Sequence, residues 1–99
     1  MYNRYGNTAL ILACYKNIEN VALKLLERED INVNHVGSRK YTALIWACCN
    51  EMETVALKLL EREDINVNEK EKYGNTALNY AKLYRMESVI KRINELNNK

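Results

Sequence analysis

The sequence predicts an all-α solenoid of stacked helix-turn-helix units with projecting loops. Two observations carry that expectation. Residues 21–34 read VALKLLEREDINVN and residues 55–68 repeat the same letters, an offset of 34. The same offset relates Thr8, Thr42 and Thr76, each followed by Ala-Leu and then by Ala13, Ala47 and Ala81. A period of this length means three copies of one small unit that cannot bury its own apolar face and must stack on its neighbours.

Within a copy, Ala9, Leu10, Ala13 and Cys14 fall at i, i+1, i+4 and i+5, which lays an apolar stripe along a short first helix. Thr8, Thr42 and Thr76 stand just ahead as N-caps whose hydroxyls accept from a first-turn amide. Asn17 tolerates the left-handed geometry that ends such a helix. Val21, Ala22, Leu25 and Leu26 repeat the spacing on a second, longer helix, with Lys24, Glu27 and Arg28 on a solvated outer face. Glu29–Asn34 is rich in side chains that bond their own backbone and is expected to be a long protruding loop. Gly6, Gly37 and Gly74, with Asn32 and Asn66, suit a turn or hairpin there.

The chain of 99 residues, 47% apolar, is enough for one domain with a continuous core, divided as repeat 1 (1–34), repeat 2 (35–68) and repeat 3, a C-terminal cap (69–99). A net charge of +2 with acids and bases interspersed argues against a nucleic-acid partner. No apolar run approaches the ~20 residues of a membrane span, and no signal-like start is present. Three cysteines, an odd number, favour a reducing compartment, so a cytoplasmic or otherwise intracellular protein is expected. Cys14 and Cys48 lie one period apart, as small apolar fillers between helices. With His35 the lone histidine and no Cys-x-x-Cys, no zinc site, other metal or cofactor is expected. Nor can a nucleophile, base and orienter be assembled: Asp30 and Asp64, or Glu27 and Glu61, are each one period from their twins and belong to loop and outer-face chemistry.

The succession G-N-T-A-L-x-x-A, V-A-L-K-L-L and I-N-V-N resembles the ankyrin repeat over essentially the whole chain. The family's T-P-L-H-x-A box stands here as Thr8–Ala13, Thr42–Ala47 and Thr76–Ala81. Pro is Ala in each copy and His is Ile11, Ile45 and Asn79, so the side-chain network His gives family members is missing. Where the family has Gly between its helices, the chain has Asn17, Glu51 and Arg85; the last two must take another turn geometry or accept strain of about 1 kcal/mol. Ile31 or Ile65 is one residue extra after the second helix.

The ends differ. In copy three Leu57 becomes Lys91, Leu60 becomes Asn94 and Cys48 becomes Lys82, the polar face of a capping repeat. Copy one keeps Ile11, Leu12, Ile18, Leu23 and Leu26 and is expected to be uncapped, as a fragment of a longer array or a surface for self-association.

Stacked copies create an extended concave surface from projecting loops and the exposed edge of the first helix. The resemblance implies a protein partner there and places recognition at the loop tip and the two residues after the Ala-Cys pair. These are Arg4, Tyr5, Asn7, Tyr15 and Lys16 in copy one, Ser38, Arg39, Tyr41, Cys49 and Asn50 in copy two, and Lys72, Tyr73, Asn75, Leu83 and Tyr84 in copy three. Aromatics and Arg in this set are typical binding anchors, although Tyr5 and Tyr73 equally suit packing on the loop below. Leu12, Trp46 and Tyr80 share one position and read as inter-repeat core. The chain is thus expected to be a non-catalytic protein-interaction module; the alternatives are a structural or engineered array that self-associates, or part of a regulatory or host-directed ankyrin protein.

Overall fold

Each Thr-Ala-Leu box starts a helix. In the computed structural model, which describes residues 3, 4 and 6–99, these are α1 (Ala9–Tyr15), α3 (Ala43–Cys49) and α5 (Ala77–Leu83). Thr8 and Thr42 accept from the amides of Ile11 and Ile45 at 3.2 Å, and Thr76 from that of Asn79 at 3.3 Å. The residues in the family's His position have found other work. Ile11 and Ile45 are buried, and the Asn79 side chain accepts from the Thr76 amide at 2.8 Å to complete a capping box.

These helices end in one way. Ile18, Met52 and Met86 amides donate back to the carbonyls of Ala13, Ala47 and Ala81 at 2.8, 2.8 and 2.9 Å, around left-handed Asn17, Glu51 and Arg85 (φ 59°, 55° and 55°). This is the Schellman closure, in which the residue just past the helix takes positive φ and Gly is favoured. Of the two options open to Glu51 and Arg85, the chain accepts the strain. Glu51→Gly and Arg85→Gly are therefore expected to raise the unfolding free energy by about 0.5–1 kcal/mol each, read as added midpoint denaturant at unchanged slope.

The second helices are α2 (Glu19–Leu26), α4 (Glu53–Leu60) and α6 (Glu87–Asn97). Their N-caps, Ile18, Met52 and Met86, offer no side-chain acceptor, but Glu19, Glu53 and Glu87 meet the positive end of the helix dipole in the first turn. The helices form two rows: α1, α3 and α5 pack in succession on one side, and α2, α4 and α6 on the other, each pair closed by its own turn. No β-strand occurs among the described residues.

Between the rows lies a single core in which Leu10, Leu44, Leu59 and Ile93 are fully buried, together with Cys14 and Cys48. Backbone satisfaction also crosses the repeat boundary. The Arg62 guanidinium donates to the Leu26 and Arg28 carbonyls at 2.8 and 2.7 Å, closing the C-terminal end of α2 from the next repeat. Its twin Arg28 instead pairs with Asp30 at 3.0 Å. Asn34 bridges the loops in the same manner, donating to the Asp64 carbonyl at 2.7 Å and accepting from the Asn66 amide at 2.8 Å.

Two expectations about loops are corrected. Glu29–Asn34 does not protrude: Val33 and Val67 are buried, Ile31 and Ile65 are half-buried on the core, and Asn32 and Asn66 accept from the amides of Asn34 and Asn68 at 3.0 Å. An isoleucine and a valine on one short segment give it an apolar edge that outweighs its polar letters. The protrusions are tight hairpins at 37–41 and 71–75, closed by Gly37 and Glu71 amides on the carbonyls of Tyr41 and Asn75 at 3.0 and 2.9 Å, and the Asn3 amide meets the Asn7 carbonyl in the same way at 2.8 Å. Gly6 and Gly74 serve them at φ 82° and 86°, but Gly37 does not: the left-handed residues in the middle hairpin are Arg39 and Lys40 (φ 58° and 65°). Gly37 is needed for space, since a Cβ there would run into the Asn7 side chain, which accepts from the Ser38 amide at 2.9 Å.

The end effects are visible as exposure. Lys82, Lys91 and Asn94 are exposed where Cys48 and Leu60 are buried and Leu57 half-buried. In repeat 1, Val21 is 47% exposed whereas Val55 and Val89 are at 0%. Ile18 is exposed too, but Ile11 is buried and Leu12, Leu23 and Leu26 are half-buried, so the uncovered apolar face is smaller than the letters imply.

Candidate functional site

The hairpin tips and the first-helix row share one side of the molecule, and between repeats 1 and 2 they enclose a groove of about 470 Å³ lined by Asn3, Asn7, Leu12, Tyr15, Lys16, Ser38, Arg39 and Trp46. Five residues expected at the recognition surface meet here: Asn7, Tyr15, Lys16, Ser38 and Arg39. The floor is aromatic. Trp46 meets Tyr15 edge to face, with ring centroids 4.7 Å apart, and stacks on Tyr41 at 4.2 Å and 18°. Tyr15 is 53% exposed and so offers an open ring.

Other residues of the expected set are occupied within the fold. Tyr41 is buried under Trp46 and its hydroxyl lies 3.4 Å from that of Tyr80. Asn50 donates to the Cys14 and Tyr15 carbonyls at 2.7 and 3.1 Å, closing the end of α1 from the next repeat. Cys49 is half-buried. Asn75 is half-buried, and its amide donates to Glu71 at 2.9 Å. In contrast Arg4 is exposed, and Lys72, Tyr73, Leu83 and Tyr84 extend the exposed side into repeat 3. Tyr73, at 67% exposure, stands in solvent and does not pack on the loop below. Tyr5 lies outside the described residues.

Trp46 and Glu71 are what the sequence reading missed. Trp46 is half-buried and serves both as packing and as groove lining. Glu71 occupies the place of Asn3 and Gly37 in the other hairpins, so it is an acid without a twin, and that break in the period was its signal. Its buried carboxylate accepts from the Tyr73 and Asn75 amides at 2.7 and 2.9 Å and from the Tyr80 hydroxyl at 2.6 Å. Burial is the largest influence and pushes its pKa up. The hydrogen bonds from Tyr80, the Asn75 amide, Tyr41 and the Tyr73 amide together outweigh it and hold the carboxyl down to about 2. Burial and the bond to Glu71 push the Tyr80 hydroxyl above its ordinary range.

The thiols are poor nucleophiles. Burial pushes Cys14 and Cys48 up to about 12 and Cys49 up to about 11. At pH 8 a thiol reagent should modify Cys49 slowly, and Cys14 and Cys48 only as the chain unfolds; rapid modification of all three in the native protein would contradict this packing. Among the described residues no group of three or more His, Cys, Asp or Glu side chains is placed to hold a metal ion.

Comparison with known proteins agrees with this geometry. A family model of ankyrin repeats in three copies matches residues 24–97, and a model of the single ankyrin repeat matches residues 5–38. The chain belongs to the ankyrin-repeat family. It is similar to the ankyrin repeat protein EF0377, seen in a crystal structure, with a TM-score of 0.75 and 28% sequence identity over 93% of this chain. The match spans 48% of that protein. No curated protein matches closely enough to count as a relative. Ankyrin repeats are generally protein-interaction modules and typically non-catalytic. No helix among the described residues of this ankyrin-repeat chain is long and apolar enough to cross a membrane.

Proposed function

We propose that the chain is a non-catalytic docking module for another protein, which seats on the concave, hairpin-bearing side. The observation that carries this reading is the groove between repeats 1 and 2, where an open Tyr15 ring and the edge of Trp46 lie among polar hairpin residues. Large rings beside polar groups are the chemistry of binding anchors, since they bury much area at little entropic cost. The exposed Tyr73 and Leu83 continue that side into repeat 3.

Tyr41 is a poor probe because its loss disturbs the Trp46 and Tyr80 contacts. Tyr15→Ala with Tyr73→Ala removes two exposed rings and no charge. The double variant should keep the wild-type circular dichroism, melt only a few degrees lower for want of the Tyr15–Trp46 contact, and lose the partners that the intact chain retains in a pull-down. Undiminished capture would move the docking surface elsewhere.

A second reading, self-association, is favoured by the 47% exposure of Val21 where its counterparts Val55 and Val89 are covered. It requires a mass that grows with concentration in light scattering and reverts in Val21→Lys; a monomer at all concentrations excludes it.

A further inference from the structure

Acids and bases that alternate along the chain are sorted by the fold. The hairpin and first-helix segments of repeats 1 and 2, residues 3–16 and 35–50, contain Arg4, Lys16, Arg39 and Lys40 and neither Asp nor Glu; the first acid after α3 is Glu51, in the turn to α4. The turn and second-helix segments 17–34 and 51–68 contain nine acids and four bases. In repeat 3 the acid within the hairpin, Glu71, is buried and its oxygens are taken by the bonds described above. The groove side of repeats 1 and 2 is therefore cationic although the whole chain carries only +2.

Pairing follows the same division. Lys24 with Glu27, Lys58 with Glu61, and Arg92 with Glu95 form ion pairs at 3.7, 3.8 and 3.5 Å on the second helices. Lys16 and Arg39, which flank the groove, and Lys40 at the hairpin tip have no carboxylate partner among the described residues. Unneutralised like charges beside an aromatic floor are a poor arrangement for the isolated chain, and they match a ligand that brings the opposite charge.

We infer that the groove between repeats 1 and 2 takes an acidic peptide segment of the partner protein, with an aromatic or aliphatic side chain seated against Tyr15 and Trp46 and carboxylates meeting Lys16 and Arg39. This rests on the docking reading above and gives its ligand a chemistry. The cations are few and flank a short groove without forming a continuous track, which suits a short acidic segment better than a phosphate backbone.

The test uses Trp46, the sole tryptophan, as reporter. The intact chain is titrated with a short synthetic peptide of Glu residues flanking one Phe, with its Lys-for-Glu counterpart, and with an oligothymidylate. The acidic peptide should perturb Trp46 emission and the Lys peptide should not. Affinity should fall with added salt, and by roughly tenfold or more in the Lys16→Glu, Arg39→Glu double variant. The outer-side pair Lys24→Glu, Lys58→Glu should leave it unchanged.

Equal binding of both peptides, no binding of the acidic one, equal loss in the outer-side variant, or tighter binding of the oligothymidylate would each overturn the inference. A failure here is separable from a failure of the docking reading. Partners that are lost with Tyr15 and Tyr73 but indifferent to the charge reversal leave a docking module whose ligand is not acidic. Absence of any partner removes both.

Discussion

Leu59→Ala is expected to lower the unfolding free energy by about 3 to 4 kcal/mol and the melting temperature by roughly 15 °C. Leu59 is fully buried on α4, the middle of the outer row, which packs on both α2 and α6. A cavity there weakens two inter-repeat interfaces at once, and in a solenoid those interfaces carry much of the stability. The duplicated string supplies a control. Val55→Ala should cost about 2 kcal/mol and Val21→Ala less than about 0.5, although the two valines sit in the same fourteen letters. Val55 is at 0% exposure and Val21 at 47%, so position in the stack, not local sequence, sets the cost. Equal losses at Val21 and Val55 in chemical denaturation would mean that the first repeat is covered in solution.

Glu71→Ala should cost roughly 3 kcal/mol, because it takes the charged acceptor from two amides and the Tyr80 hydroxyl in one step. Glu71→Gln, which keeps the shape and one acceptor oxygen, should lose less, about 1 to 2 kcal/mol. The group also sets an acid limb. Its carboxyl falls from an ordinary 4.5 to about 2 on folding, so the unfolded chain binds the more protons between those values. The contribution of Glu71 is then complete above about pH 4.5 and is lost as the pH falls toward 2. Unfolding free energies measured from neutral pH down to pH 2 should decline in this window for the wild type and flatten in Glu71→Gln. Identical slopes would show that the carboxylate is not held by these bonds.

Much of the architecture was legible because the repeats report on one another. Thr8, Thr42 and Thr76 marked three helix starts, the i, i+1, i+4, i+5 spacing marked the buried stripes, and Lys82, Lys91 and Asn94 marked the end of cover. What could not be read depended on contacts between repeats. Arg28 and Arg62 are the same letter in the same string, yet one pairs locally with Asp30 and the other closes the preceding helix. Asn50 and Tyr41 stood at positions that suit recognition and are spent on neighbouring repeats, while Asn7 lines the groove and also holds the next hairpin. The strain at Glu51 and Arg85 was bounded by sequence and decided only by the closure geometry. The charge sorting was hidden for a similar reason. Along the chain acids and bases interleave, and only stacking gathers the Lys16 and Arg39 segments on one side.

The claim on which the functional account depends is that the partner seats on the hairpin side of repeats 1 and 2. Amide hydrogen exchange of the chain, alone and with the partner it retains, tests this most directly. Added protection is expected at the 37–41 hairpin, at the end of α1 around Tyr15 and Lys16, and in α3 around Trp46, with α2, α4 and α6 unchanged. Protection confined to those second helices, with the hairpins exchanging as before, would contradict it.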